Sequence, residues 1–239
     1  VFLMSEKKEL TMSISRTIMS FLLALIPQVT FAQFDYFMKG LDKVALPGTN
    51  TLGDDKIISG LKEALSVGTE YAVNLTGKTG GFLQNEAIKI LLPEKLQSMD
   101  QALRLAGFGP QVDEFVVSMN KAAEQASPLA KPIFKDAVTN MSFDDAKKIL
   151  DGGDTAATDY FQGRTRGQLA TAFKPEVEKA MSQVGVNAQY KDLVGQYTTL
   201  PFVKGPAFNL DDYVVGKSLN GLFYTLAQEE QKIRTDPAA

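Results

Sequence analysis

The chain has 239 residues, 44% hydrophobic and 22% charged, with a formal charge of -3 and a pI near 5.2. That length supports one substantial core, and the acidic balance speaks against the clustered basic surface a nucleic-acid partner needs. Cys, His and Trp are absent, which removes disulfides, thiolate nucleophiles, zinc-thiolate sites, Ser-His-Asp triads and imidazole-bound metals. Any catalysis must rest on carboxylates, Lys, Tyr, Ser or Thr, or a hard cation.

Residues 1–32 read as an export signal. Lys7, Lys8 and Arg16 give a positive start, Ile18 to Ile26 is an apolar run, and Thr30-Phe-Ala32 ends on a small residue suited to cleavage. The run is short for a membrane span. Translation is expected to start at Met4 or Met12, and cleavage would leave Gln33 as the new N-terminus. Residues 33–53 are expected to form a leader or linker, and residues 54–239 one helical domain.

Asp54 to Thr76 carries Ile57, Ile58, Leu61, Leu65, Ala72 and Leu75 at helical spacing. Two acidic residues stand at its start and Gly77 at its end, where a closing glycine is expected. Gly60 and Gly68 weaken the helix or admit a close neighbour. After Lys78-Thr-Gly-Gly-Phe82, the run Ala87 to Leu92 reads as a short extended piece with Ile88 and Ile90 on one side. No second strand of comparable quality lies near, so no sheet is expected. Pro93 fits the first turn of a helix bearing Leu96, Met99, Leu103 and Ala106. Gly107-Phe-Gly-Pro110 is a turn, followed by a helix with Val112, Phe115, Val116, Met119 and Ala123. Ser127-Pro128 is expected to cap the next, with Ile133, Phe134, Ala137 and Val138 inward and a bend or late start at Pro132.

The stretch Met141 to Phe161 stands out as an organiser of the architecture. Ser142 with Asp145 three residues on is a capping box. Phe143, Ala146, Ile149 and Leu150 then mark one short helix. Gly152 and Gly153 are expected to close it through a left-handed residue. Asp154 or Thr155 is expected to cap a second short helix with Ala157, Tyr160 and Phe161. Beyond it, Thr165 is expected to cap a helix with Leu169, Ala172 and Phe173, and Pro175 to kink it or begin another, with Val177, Ala180, Met181 and Val184. Asn187 should cap a helix with Tyr190, Leu193 and Val194. Thr198 to Phe208 reads as loop. Asn209 should cap a turn leading to the last helix, with Leu219, Leu222, Phe223, Leu226 and Ile233, stopped by Asp236-Pro237. The reading is all-α: an irregular bundle of roughly eight to ten helices in a single domain.

Motifs for chemistry are sparse. Thr76-Gly-Lys-Thr79 contains the GKT of a phosphate loop, but Ala72 stands where the first glycine belongs and a helix, not a strand, precedes it. Ser59 to Lys62 with Lys78-Thr-Gly80 has the elements of serine penicillin-binding enzymes, but they lie too close together and lack S-D-N. Asp151, Asp154 and Asp159 cluster at the central turn and are candidate Ca or Mg ligands. Caps and exposed carboxylates explain them better, so no cofactor is expected. Tyr160, Arg164 and Arg166 are candidates for holding an anion in the same region.

Long stretches resemble a known family. Asp113 onward, DEFVVSMNKAAEQASPLAKPIFKDAV, then NMSFDDAKKILDGGDTAATDYF, with GLKEALSVGTEYAV, FKPEVEKAM, YKDLVGQY and LDDYVVGKSLNGLFYTLAQEEQKIRTDPAA, resemble the bacterial domain of unknown function 4197. The likeness covers about Asp54 to Ala239. It implies an exported α-helical domain and supplies no activity and no catalytic residues. It also implies relatives that continue past Asp-Pro-Ala-Ala, and some that carry an anchoring cysteine where this chain has none. The function expected is a non-catalytic periplasmic binding or interaction module, whose partner is an envelope protein or a small ligand. Membrane contact is expected only if the signal segment stays uncleaved. The alternative is a carboxylate-based, metal-assisted enzyme centred on Asp151 to Asp159.

Overall fold

The structure is a computed structural model that describes residues 51–183, 186–199 and 209–235. The expectations for the export signal, for most of the leader, for the body of the Thr198–Phe208 loop, for Val184 and for the Asp236-Pro237 stop lie outside these residues.

Every regular element is helical, and no strand occurs among the described residues. The α-helices are α1 (Thr51–Gly77), α2 (Gln97–Leu105), α3 (Gly109–Ala126), α4 (Ala130–Thr139), α5 (Phe143–Leu150), α6 (Ala156–Gln183), α7 (Val186–Thr198) and α8 (Leu210–Thr235). Short 3-10 turns cover Glu94–Leu96 and Ser127–Leu129. Among the described residues no helix is long and apolar enough to cross a membrane.

α6 and α8 form the central pair. α6 also packs on α3 and α4, and α8 on α1. Where they converge, Phe134 of α4 meets Phe161 of α6 edge-on at 5.4 Å and Phe223 of α8 at 6.0 Å between ring centroids. Such edge-on pairs add specific geometry to the burial of large apolar area. Leu169, Phe173 and Val177 of α6 and Met119 and Phe115 of α3 are fully buried in the same core.

Local expectations hold where the signal is local. Ser142 caps α5: its hydroxyl accepts from Asp145 N–H at 3.1 Å, and Asp145 reaches back to Ser142 N–H. Asn209 caps α8 by accepting from Asp212 N–H at 3.1 Å.

Several expectations are corrected. α6 is one long helix, so the Met141–Phe161 stretch is not two short helices; Met141, Ala146, Ile149 and Ala157 form a small satellite cluster with α1, while Phe161 belongs to the main core. Thr165 is no cap. It lies buried inside α6 and donates its hydroxyl to Phe161 O at 2.7 Å, a back-bond that occupies the side chain within a continuing helix. Pro175 does not divide α6. Ser127 likewise donates to Ala123 O and opens a 3-10 turn without acting as a side-chain cap. Among the described residues the glycines with positive φ are Gly80 and Gly107, so neither Gly152 nor Gly153 supplies a left-handed closure. Gly152 is needed for room, since a Cβ there would stand 2.4 Å from the Ala156 Cβ.

Candidate functional site

Between α1 and the Glu94–Leu96 turn the chain runs without regular structure from Lys78 to Pro93, and much of this run is buried. Buried backbone must find hydrogen-bond partners, and α3 supplies them. Asn120, fully buried, accepts from Ile90 N–H at 2.8 Å and donates to Ile90 O at 2.8 Å, with a second donation to Val116 O. Its carboxamide therefore does for Ile90 what a neighbouring strand would do. That is how Ile88 and Ile90 both reach the core with no sheet. One turn further along α3, Glu124 accepts from Phe82 N–H at 3.1 Å and Leu83 N–H at 3.2 Å.

The turn itself has little freedom. Gly80 holds φ at 78°, in the left-handed region glycine tolerates. Gly81 lies against α1: a Cβ there would sit 2.4 Å from Leu75 O and 2.6 Å from Thr76 O. Phe82 is fully buried against Gly221 of α8, where a Cβ would stand 2.5 Å from the ring.

Above this fixed turn is a cleft of about 250 Å³, lined by Thr76, Lys78, Gly80, Gln84, Asn85 and Thr225 among others. The Thr76 hydroxyl donates to Ala72 O and the Thr225 hydroxyl to Gly221 O. Asn85 Oδ1 accepts from Ala87 N–H at 3.1 Å, which leaves its NH₂ to donate. Lys78 is exposed, and its ammonium meets no carboxylate among the described residues. Among the described residues no carboxylate lines the cleft.

The GKT motif ends a helix here. Gly77 is the last residue of α1 and Lys78 N–H bonds Asn74 O, so the positive helix end a phosphate loop requires points elsewhere.

The residues singled out in sequence are placed as follows. Asp151 is the exposed C-cap residue of α5. Asp154 is exposed. Asp159 is exposed on the first turn of α6 and accepts from the Thr155 hydroxyl at 3.4 Å. Among the described residues no group of three or more His, Cys, Asp or Glu is arranged to hold a metal ion. Tyr160 is half-buried and donates to Ala137 O at 3.2 Å, and burial raises its phenol above the ordinary range. Arg164 is exposed and close enough to Asp145 and Tyr160 to act on both electrostatically. Arg166 points elsewhere, to Asn220 Oδ1 at 2.7 Å and over the Phe223 ring. The pocket bordering this turn is small and mostly apolar, about 80 Å³, between α1, α5 and α8.

The turn is held from behind by two residues of α8. Glu230 accepts from Ala157 N–H at 2.9 Å, and from Thr158 N–H and the Thr158 hydroxyl at 2.8 Å. Arg234 donates to Glu230 and, at 2.9 Å, to Ile149 O near the end of α5. The carboxylate stands at a helix N-terminus and the guanidinium at a helix C-terminus, the signs the two dipoles favour. Asp154 is therefore not the group that satisfies these two amides of α6. Sequence reasoning missed Asn120, Glu124 and Glu230. The signal was available for the first two: polar residues at i and i+4 beside the apolar stripe of α3.

The shifted groups have structural causes. Hydrogen bonds from Ser142 hold the Asp145 carboxyl below its ordinary value. Burial, with Glu178 and Asp212 nearby, raises that of Asp211. Bonding to Asp212 raises Lys174.

The geometry is that of an all-helical protein with a polar cleft built for hydrogen bonding at the end of its first described helix. The chain belongs to the family Protein of unknown function (DUF4197), whose model matches residues 51–239. No curated protein and no solved structure matches it.

Proposed function

We propose that this is an exported, non-catalytic binding module whose helical domain, residues 54–239, works in the periplasm behind a removable signal. One observation carries the binding reading. The Lys78–Asn85 turn is immobilised by Glu124, Gly81 and Phe82, yet it presents an ammonium and two carboxamides to an open cleft. Among the described residues that ammonium meets no carboxylate, and a few convergent polar groups on a well-seated frame are what a small-ligand site needs. The buried carboxylates Glu124 and Glu230 serve backbone amides and the Asp145 carboxylate serves a cap, so they stabilise structure in place of moving protons.

The test has two arms. Periplasmic extraction of cells expressing the full gene should release a chain lacking residues 1–32. A nuclear magnetic resonance titration of that chain with sugars, amino acids, dicarboxylates and short peptides should shift amides of Lys78 to Asn85. Retention in the cytosol rejects the export reading, and silence of the turn across the panel rejects the binding reading.

A further inference from the structure

Resting on that reading of the cleft, we infer that its ligand is a small polyhydroxylated molecule bearing a single carboxylate, of sugar-acid type. Size sets the first bound. About 250 Å³ is roughly eight water volumes at about 30 Å³ each, below the range of drug-sized sites and fit for one sugar ring.

The lining sets the chemistry. Lys78 offers donors and a positive charge. Gln84 offers both donor and acceptor, and Asn85 has a free NH₂ because its oxygen is engaged with Ala87 N–H. Thr225 also lines the cleft, with its hydroxyl donating to Gly221 O within α8. Such a mixture suits hydroxyls, which give and accept at once. The charge is bounded from both sides. Lys78, with no lining carboxylate among the described residues, favours one negative group. The floor of the cleft is the C-terminal end of α1, which carries partial negative charge and opposes a dianion such as phosphate. The turn is closely seated: Gly81 lies against the carbonyls of Leu75 and Thr76, and the Gln84 side chain lies against Gly80.

The experiment titrates the full chain with D-glucuronate, D-glucose and inorganic phosphate, followed by the amide resonances of Gly80, Gly81, Gln84 and Asn85. Glucuronate should shift them and bind about tenfold tighter than glucose, with phosphate weakest. Lys78→Met should weaken glucuronate far more than glucose and bring the two to about the same level, while Lys78→Arg should keep the difference. Because Lys78 is exposed, an unchanged melting temperature will show that the variants fold. Phosphate binding tightest, glucuronate surviving Lys78→Met unchanged, or no shift with any of the three probes each overturns the inference. The binding reading falls with it only if the amino acids, dicarboxylates and peptides of the wider panel are silent as well.

Discussion

Glu230 and Thr158 are 72 residues apart in sequence, and one carboxylate oxygen of Glu230 lies 2.8 Å from both the amide nitrogen and the hydroxyl of Thr158. The other oxygen takes Ala157 N–H and the Arg234 guanidinium. A buried carboxylate thus satisfies two amides at the start of α6 while its cation holds the end of α5. Removing a buried acceptor costs more than its bonds are worth, because the amides of Ala157 and Thr158 stay buried and unpaired, whereas Arg234 is partly exposed. Glu230→Ala should destabilise the protein by about 2–6 kcal/mol, at one to three per stranded amide, read as a lower urea midpoint. Glu230→Gln keeps an acceptor for the amides and should cost less. A double cycle with Arg234→Met should show strong coupling, and additive effects would refute the clamp.

Asn120 supports an argument of the same kind on α3. Replacing it by Leu removes both bonds to Ile90 and strands a buried N–H and C=O. The expected loss is about 2–6 kcal/mol, at one to three per stranded group. Amide exchange at Ile90 should quicken by more than at Phe134, since the extended run loosens before the core does. Equal acceleration at both positions would mean that Asn120 acts only through global stability.

These two residues show where the sequence was legible and where it was not. The all-α class followed from apolar spacing, and Leu96, Phe115, Phe134, Leu219 and Leu222 are buried as that spacing implies. The Ser142–Asp145 box was readable because both partners lie within one turn. Glu230 was not readable as the cap of α6, because its amides come from a distant part of the chain. Thr165 and Ser127 misled for a related reason. A hydroxyl that would cap a helix start can equally bond the carbonyl four residues back, and tertiary packing decides which. At the candidate site, Lys78 and the glycines were visible only as the run after a helix and as two failed motifs, GKT and K-T-G. What turns them into a cleft is the packing of Phe82 on Gly221, which no local pattern encodes.

That packing is testable by small-to-large substitution. Gly81→Ala would push a methyl into the carbonyl oxygens of Leu75 and Thr76, and Gly221→Ala one into the Phe82 ring. Each should cost about 1–3 kcal/mol. Because backbone yields less readily than a side chain, Gly81→Ala should be the worse. Gly153→Ala, where the added Cβ meets nothing within 4 Å, is the control. If all three melt alike, the turn is not the fixed platform described.

The central aspartates admit a sharper comparison. Asp151 and Asp154 are exposed, and Asp159 makes one long bond to Thr155. Each changed to Asn should alter stability by no more than about 0.5 kcal/mol. Addition of Ca or Mg up to millimolar levels should leave the melting curve of the wild type unmoved. A rise in melting temperature with either ion, lost in the Asn variants, would support the metal reading of this turn.

Asp145 gives the pH dependence its sign. Its carboxyl is held below the ordinary 3.8, chiefly by the hydroxyl and amide of Ser142. A depressed acid contributes stability that is present above the unfolded value and is lost as pH falls through the folded value. At pH 7 the capping box is intact, and Ser142→Ala should cost about 1 kcal/mol, as loss of an N-cap does. Asp145→Asn should also lower the melting temperature at pH 7. As pH falls below 3.8 the wild-type carboxyl takes up its proton and the gap to Asp145→Asn should close, with the wild type losing the advantage. A gap that stays constant from neutral pH into acid would show that the box owes nothing to the charge, and that shape alone holds the start of α5.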